Sequence, residues 1–181
     1  MEQVEVQRSN KCLNILFFGA SWSRKGGPMA VQILDRLRER TQAHLHIVGP
    51  RDIAASGPHL TPHGPLDKST KESITRFANL CGACDIMLLP TRADCAPIAP
   101  AEVAGFGLPT MIADVGGCRD TVLEGESGWV MPHGATANDW ASKVYDLWST
   151  GELRSARAAA RHAANRVFNW RRSVGKIVEA G

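Results

Sequence analysis

The stretch Leu89 to Gly117, LPTRADCAPIAPAEVAGFGLPTMIADVGG, reads as a strand end, a loop carrying Asp94, a short helix carrying Glu102, a glycine stop, a second strand and a Gly-Gly turn. Two apolar strands joined through a helix are the crossover unit of a parallel sheet. In open sheets of that kind ligands bind outside the carboxyl ends of the strands. Asp94 and, eight residues on, Glu102 sit at that edge. Carboxylates there accept hydrogen bonds from ribose hydroxyls, while Gly116 and Gly117 free backbone N–H groups for an anion at a helix start. The combination suits a sugar nucleotide. Taken alone it fits equally well a solvated loop acid and a first-turn helix acid favoured by the dipole.

Working outward, the chain alternates strands and helices. Cys12 to Phe18 (CLNILFF) is a buried strand closed by Gly19. Pro28 to Arg40 is a helix with Met29, Ile33, Leu34 and Leu37 at helical spacing and Pro28 in its first turn. His44 to Val48 is a second strand stopped by Gly49-Pro50, and Arg51 to Pro65, with three Pro and two Gly, reads as a loop. Ser69 or Thr70 caps a helix to about Leu80 whose buried stripe is Ile74, Phe77 and Ala78. Asp85 to Leu89 and Thr110 to Ala113 are the third and fourth strands, with the helix Pro100 to Ala104 between them, ended by Gly105. Gly128 to Met131 reads as a fifth, edge strand, followed by helices over Asn138 to Trp148, Leu153 to Phe168 and Trp170 to Ala180. The expected fold is therefore α/β, a Rossmann-like open parallel sheet with helices on both faces. Residues 1–12 read as an N-terminal extension and 13–181 as one domain.

Composition narrows the class. Of 181 residues, 44% are apolar and 22% charged, ordinary for a soluble domain with a real core. A formal charge of +3 is too small to argue for nucleic acid. The longest apolar runs fall far short of a membrane span, and the polar start MEQVEVQRSNK lacks a signal-peptide apolar region, so cytoplasm is the expectation. Five cysteines, an odd number, suit a reduced compartment better than a disulfide framework. Cys81-Gly-Ala-Cys84 has redox or zinc spacing, but it closes a helix rather than opening one after a strand. No second ligand pair accompanies it, so it reads as structural. No metal site is expected.

A second cluster occupies the first strand-to-helix turn, Gly19-Ala-Ser-Trp-Ser-Arg24-Lys25-Gly26-Gly27. It matches neither GxxxxGK[ST] nor GxGxxG. It does supply what a diphosphate needs: close backbone approach at Gly19, charge from Arg24 and Lys25, and free backbone donors at Gly26-Gly27. In isolation such a turn is an exposed bend with two solvated cations. In a parallel sheet it shares an edge with Asp94 and Gly116, so cations and acids converge on one crevice.

Four ordered segments, FFGASWSRKGG, HGPLDKS, LLPTRADCAPIAPAEVAGFGLP and ADVGGCRDTV, resemble the C-terminal, donor-binding half of a retaining glycosyltransferase of group 1. Those enzymes have two domains in the GT-B fold. The resemblance covers roughly Leu13 to Ile177, and the closing FNW at Phe168 to Trp170 also resembles the family's C-terminal helix, which packs back onto the N-terminal domain. It implies that Lys25 and Arg24 bind the donor diphosphate, with Gly19 letting the phosphates approach. Leu66 would lie against the nucleobase with Lys68 nearby. Glu102, second acid of the family's Glu-x7-Glu pair, would hold the ribose. Asp94 takes the first acid position, and Ile98, Ala99 and Pro100 lie in the loop near the phosphates and transferred sugar. Asp94, Lys25 and Arg24 are thus the catalytic candidates, and the implied donor is a UDP- or GDP-linked sugar, with no cofactor and no essential metal.

Three departures stand out: Asp94 replaces a Glu, Pro97 a Gly of the EGFG segment, and Ala20 an Arg of many relatives. Only about a dozen residues precede the first strand, so the N-terminal half that carries the family's acceptor site is expected to be absent from this chain. The chain reads as an isolated domain or a gene fragment that binds donor but transfers sugar poorly alone. The rival reading is a catalytically inactive nucleotide-binding or interaction module of the same fold. An unrelated doubly wound enzyme such as a nucleotide-sugar epimerase should show an early GxGxxG, which is absent.

Overall fold

The runs LNILFF and IMLL carry no polar face, so each must be covered on both sides. The computed structural model, which describes residues 12–166 apart from Ala54, places them at the centre of a sheet. The elements run β1 (Leu13–Phe18), α1 (Gly27–Arg38), β2 (Ala43–Val48), β3 (Leu60–Gly64), α2 (Lys71–Ala83), β4 (Ile86–Leu89), α3 (Ala99–Gly105) and β5 (Thr110–Ala113). A 3-10 turn at Cys118–Thr121 follows, then β6 (Gly128–Met131), α4 (Ala137–Ser149) and α5 (Glu152–Arg166). The strand order is β3-β2-β1-β4-β5-β6 and every pairing is parallel.

Strand parity sorts the core into two layers. Leu13, Ile15 and Phe17 of β1 face α1 and α4, packing with Ile33, Leu37, Trp140 and Val144. Leu16 and Phe18 face the other way, onto Phe77 and Cys81 of α2 and Val103 of α3. Caps fix where the helices begin. Thr70 accepts the Ser73 N–H at α2, and Thr136 with Asp139 forms a reciprocal capping box at α4.

Two expectations are corrected. The span Arg51 to Pro65 is not all loop: it holds β3, a sixth strand at the sheet edge, with a register shift between Ile47 and Val48. Pro62 lies within it, a residue tolerated only where a strand has a free edge. Ile74, expected in the buried stripe of α2, is 43% exposed. Phe77 of that stripe is buried as expected, Ala78 is half-buried, and Cys81 joins Phe77 on the buried face. Gly128–Met131 is the edge strand expected of it. The helix expected over Trp170 to Ala180 lies outside the described residues.

Candidate donor-binding site at the strand-order reversal

β1 and β4 are neighbours, yet the chain leaves β1 toward α1 on one face and leaves β4 toward α3 on the other. Their loops therefore separate at the carboxyl edge, which opens a crevice there. The β1–α1 loop is a tight turn: Lys25 N–H donates to the Ser21 carbonyl (2.9 Å) and Gly27 N–H to that of Trp22 (2.8 Å). Gly26, at φ +83°, lets the turn rest directly on the end of β4. A Cβ at Gly26 would stand 1.8 Å from the Pro90 carbonyl oxygen.

Hydrogen bonds then stitch the turn to the acid loop. The Arg24 carbonyl accepts from the Arg92 N–H (2.9 Å) and from the hydroxyl of buried Thr91 (3.1 Å). The Arg24 guanidinium donates to the Ala93 carbonyl (3.0 Å). The outcome is an ion pair between Lys25 Nζ and Asp94 Oδ2, with Arg24 Nη1 3.6 Å from the same oxygen. The Lys25 and Asp94 side chains are only 13% and 11% exposed. These charges are largely withdrawn from water, so each needs the other.

A second pair joins the β3–α2 loop to α3. Lys68 Nζ donates to Glu102 Oε1, and the ammonium lies 5.8 Å from the centroid of the Phe18 ring. Both partners are more exposed than the first pair, at 57% and 30%. Asp94 and Glu102 are thus each matched to a cation from a different loop. Arg24, Lys25 and Asp94 come together, as do Lys68 and Glu102.

The other sequence-derived residues surround these pairs. Gly19 lies under the Lys25 stem, where a Cβ would come within 2.9 Å of Lys25 Cγ. Ile98 is the residue preceding α3 and is 59% exposed, whereas Ala99 begins α3 and packs against the α2–α3 core layer. Gly116 and Gly117 meet the acid loop backbone to backbone. A Cβ on either would fall about 2 Å from the carbonyl oxygen of Asp94 or Cys95. Their lack of side chains is required for loop-to-loop contact, whatever else their N–H groups do.

Leu66 lines a cavity of about 440 Å³ between β3 and α2, with Val48, His63, Arg76 and Phe77. Beside it, three imidazoles from two adjacent strands form a row. His44 Nε2 is 2.8 Å from Thr61 Oγ1, and His46 Nδ1 is 3.1 Å from His63 Nε2. Burial lowers the pKa of all three, His46 down to about 4, and neighbouring imidazoles push the same way. A second cavity of about 520 Å³ lies on the α1–α4 side of the Gly26–Pro90 contact, lined by Met29, Gln32, Arg92, His133 and Trp140.

Cys81 and Cys84 are both buried, and burial pushes the Cys81 thiol up to about 12. Arg157 of α5 donates to both of their carbonyls. This is a helix-end clamp. Among the described residues no group of three or more His, Cys, Asp or Glu is placed to hold a metal ion, and no helix is long and apolar enough to cross a membrane.

The architecture and this edge can be set against known proteins. A sequence profile of the glycosyl transferases group 1 matches residues 12–150. The chain belongs to that family. It is 26% identical over 183 aligned residues to a D-inositol 3-phosphate glycosyltransferase of Xylanimonas cellulosilytica, an alignment covering 91% of this chain and 41% of that protein. A D-inositol 3-phosphate glycosyltransferase of Geodermatophilus obscurus is 34% identical over 98 residues, 54% of this chain and 21% of the relative. The group 1 chain thus spans less than half the length of the curated relatives it matches.

Solved structures agree on the fold. Sucrose-phosphate synthase from Thermosynechococcus elongatus superposes with a TM-score of 0.74 at 19% identity, covering 97% of this chain and 47% of that one. Anabaena HepE, solved with UDP-glucose, gives 0.73 at 17% identity, covering 93% and 48%. These neighbours are GT-B glycosyltransferases, and the six-stranded parallel sheet is the Rossmann-like half of that fold.

Sequence reasoning missed Thr91 and the His46–His63 pair. A lone hydroxyl after Pro90 signals nothing without the loop it ties down. The imidazole row required β3, which the proline content had disguised as loop.

Proposed function

We propose that residues 13–181 are the donor-binding half of a retaining, metal-independent hexosyltransferase, taking a nucleoside-diphosphate sugar. The observation that carries this reading is the meeting of Arg24 and Lys25 with Asp94 at the strand-order reversal, where an open α/β sheet binds its ligand. Arg24 and Lys25 supply the charge a leaving diphosphate requires, without a cation bridge. Glu102 holds the ribose hydroxyls beside Lys68, and Leu66 lines the space for the base. Ile98 and Ala99 border the transferred hexose, with Asp94 at its reacting end, and Gly19 leaves the phosphates room. HepE, of the same fold, has been solved with UDP-glucose and with UDP, which favours a uridine donor over a guanosine one.

Transfer to an acceptor requires a second, N-terminal-type domain to order the acceptor and exclude water. The relatives' extra length supports such a partner. The cytoplasm is the proposed location. The alternative, an inactive nucleotide-binding or interaction module, draws support from one feature: Pro97, itself buried, stiffens a loop whose N–H groups should face the donor.

Calorimetric titration of the chain with UDP-, GDP- and ADP-sugars tests the reading. We expect saturable binding of at least one of them, with Lys25→Ala weakening it. No binding to any nucleoside diphosphate or its sugar conjugate would refute the donor-site assignment.

A further inference from the structure

The cavity of about 440 Å³ between β3 and α2 has an apolar floor of Val48, Leu66 and Phe77, and its polar wall carries His63 and Arg76. A heteroaromatic ring suits such a space, since flat apolar faces need one or two placed polar groups to fix orientation. His63 has the placement. Its Nε2 is held by His46 Nδ1 at 3.1 Å, and among the described residues its ring makes no other hydrogen bond. His63 Nδ1 is therefore the ring's remaining polar atom. His46 is itself held by a tilted ring contact: its centroid lies 4.8 Å from that of His44, whose Nε2 is anchored on Thr61.

Two neutral imidazoles joined by one hydrogen bond have two equivalent proton arrangements. When His46 Nδ1 donates, the His63 proton sits on Nδ1 and offers a donor. When His63 Nε2 donates, Nδ1 offers a lone pair. The pair can thus present either polarity from one fixed ring position. We propose that His63 reads the polar edge of the donor's nucleobase through Nδ1, and that His46 is its positioning residue.

This inference rests on the donor-site reading and adds a residue for base recognition. It also makes base recognition depend on pH. The groups facing His63 are His46 and His44 from β2, Thr61 on its own strand and Arg76 from α2, while His59 and Arg38 act on His44 at the far end of the row. Apart from Thr61 each is a cation or becomes one in acid. A proton on either paired ring removes its lone pair, so the His46–His63 hydrogen bond is lost when both nitrogens carry protons.

The test compares UDP with inorganic pyrophosphate, which needs only the Arg24–Lys25 turn. His63→Phe keeps a ring but removes both nitrogens. It should weaken UDP binding about three- to ten-fold, the loss of one neutral hydrogen bond, and leave pyrophosphate binding unchanged. His46→Phe should weaken UDP by a similar or smaller factor, again sparing pyrophosphate. The ratio of UDP to pyrophosphate affinity should fall as pH drops from 6.5 toward 4 in the wild-type chain and stay flat in His63→Phe. Unchanged UDP affinity in a folded His63→Phe variant, or equal losses for UDP and pyrophosphate, would overturn the assignment. A wild-type chain that binds pyrophosphate but no nucleoside diphosphate would defeat the base-reading role and the donor-site reading together. A normal wild-type UDP affinity with an unaffected variant would defeat this inference alone.

Discussion

Replacing Asp94 by Asn tests whether the acid competes with the diphosphate for its cations. Asp94 pairs directly with Lys25 and stands 3.6 Å from Arg24. A diphosphate that reaches the same cations brings more negative charge beside a carboxylate only 11% exposed. At a separation of about 6 Å, one charge–charge repulsion is worth about 3 kcal/mol at an effective dielectric of 20 and about 0.7 kcal/mol in water. Half-exposed Arg24 keeps the crevice partly wet, so the net effect lies between these, about 1–2 kcal/mol. Asp94→Asn should therefore tighten UDP and pyrophosphate binding about five- to thirty-fold. The gain should shrink as salt rises, because the repulsion is screened. The same substitution replaces the charged acceptor offered to the hexose by a weaker amide oxygen, so a UDP-sugar should gain less than UDP or lose outright. Lys25→Ala supplies the contrast, weakening every diphosphate ligand by about 1.5–3 kcal/mol, the range for a charged hydrogen bond. Calorimetry of the two variants with UDP and UDP-glucose reads all four numbers. If Asp94→Asn weakens UDP as much as Lys25→Ala does, Asp94 serves to position the lysine and the competition argument fails.

Other substitutions probe separate parts of the edge. Glu102→Gln keeps shape and loses charge, so it should weaken UDP and UDP-sugar by similar factors while sparing pyrophosphate; a loss confined to the sugar conjugate would remove Glu102 from the ribose. Gly26→Ala puts a methyl 1.8 Å from the Pro90 carbonyl at a φ of +83°, and should destabilise the fold by at least about 2 kcal/mol in urea unfolding. A shift under about 0.5 kcal/mol would show that the turn does not rest on β4 as described. His46, with its pKa depressed to about 4 chiefly by burial, binds its proton in the unfolded chain first. Stability should be full above pH 6.5 and fall as pH drops through the window to 4. The displacement from 6.5 to about 4 sets a ceiling of about 3.4 kcal/mol, reduced by solvent at this half-open sheet edge to about 1–2 kcal/mol. Urea titrations at pH 7 and 4.5 should show that loss in the wild type and less of it in His46→Phe.

How much of this was legible in the sequence depended on whether burial was two-sided. β1 and β4 are apolar at nearly every position and could be nothing but central strands, and their order with α1 and α3 followed. β3 carries Pro62 and one strongly apolar residue, Leu60, because an edge strand needs neither a full set of N–H donors nor two covered faces. Losing β3 hid its consequences too: His44 and His46 alternate visibly on β2, but their partners Thr61 and His63 were assigned to a loop. Ile74 failed for a related reason, since apolar spacing marks a helix face without saying how far the neighbouring surface extends over it.

The site shows a different kind of gap. Arg24, Lys25, Asp94 and Glu102 were all visible as residues of one sheet edge, yet sequence spacing could not say that the cations and acids would pair. Lys25 and Asp94 are 69 residues apart, and their contact depends on a missing side chain at Gly26 and on two donors to a single carbonyl at Arg24. Burial gives the reason for the pairing. An ammonium only 13% exposed would be costly to leave unpaired. Asp94 in the same crevice removes that cost, and on the proposed donor reading it would have to give way to the phosphates. Asp94, one methylene shorter than the usual Glu, is fixed on Lys25 by the loop stitched through Thr91. The acid's first role is therefore set by the charge it faces, and on the proposed donor reading any role toward the sugar would follow its displacement by the phosphates.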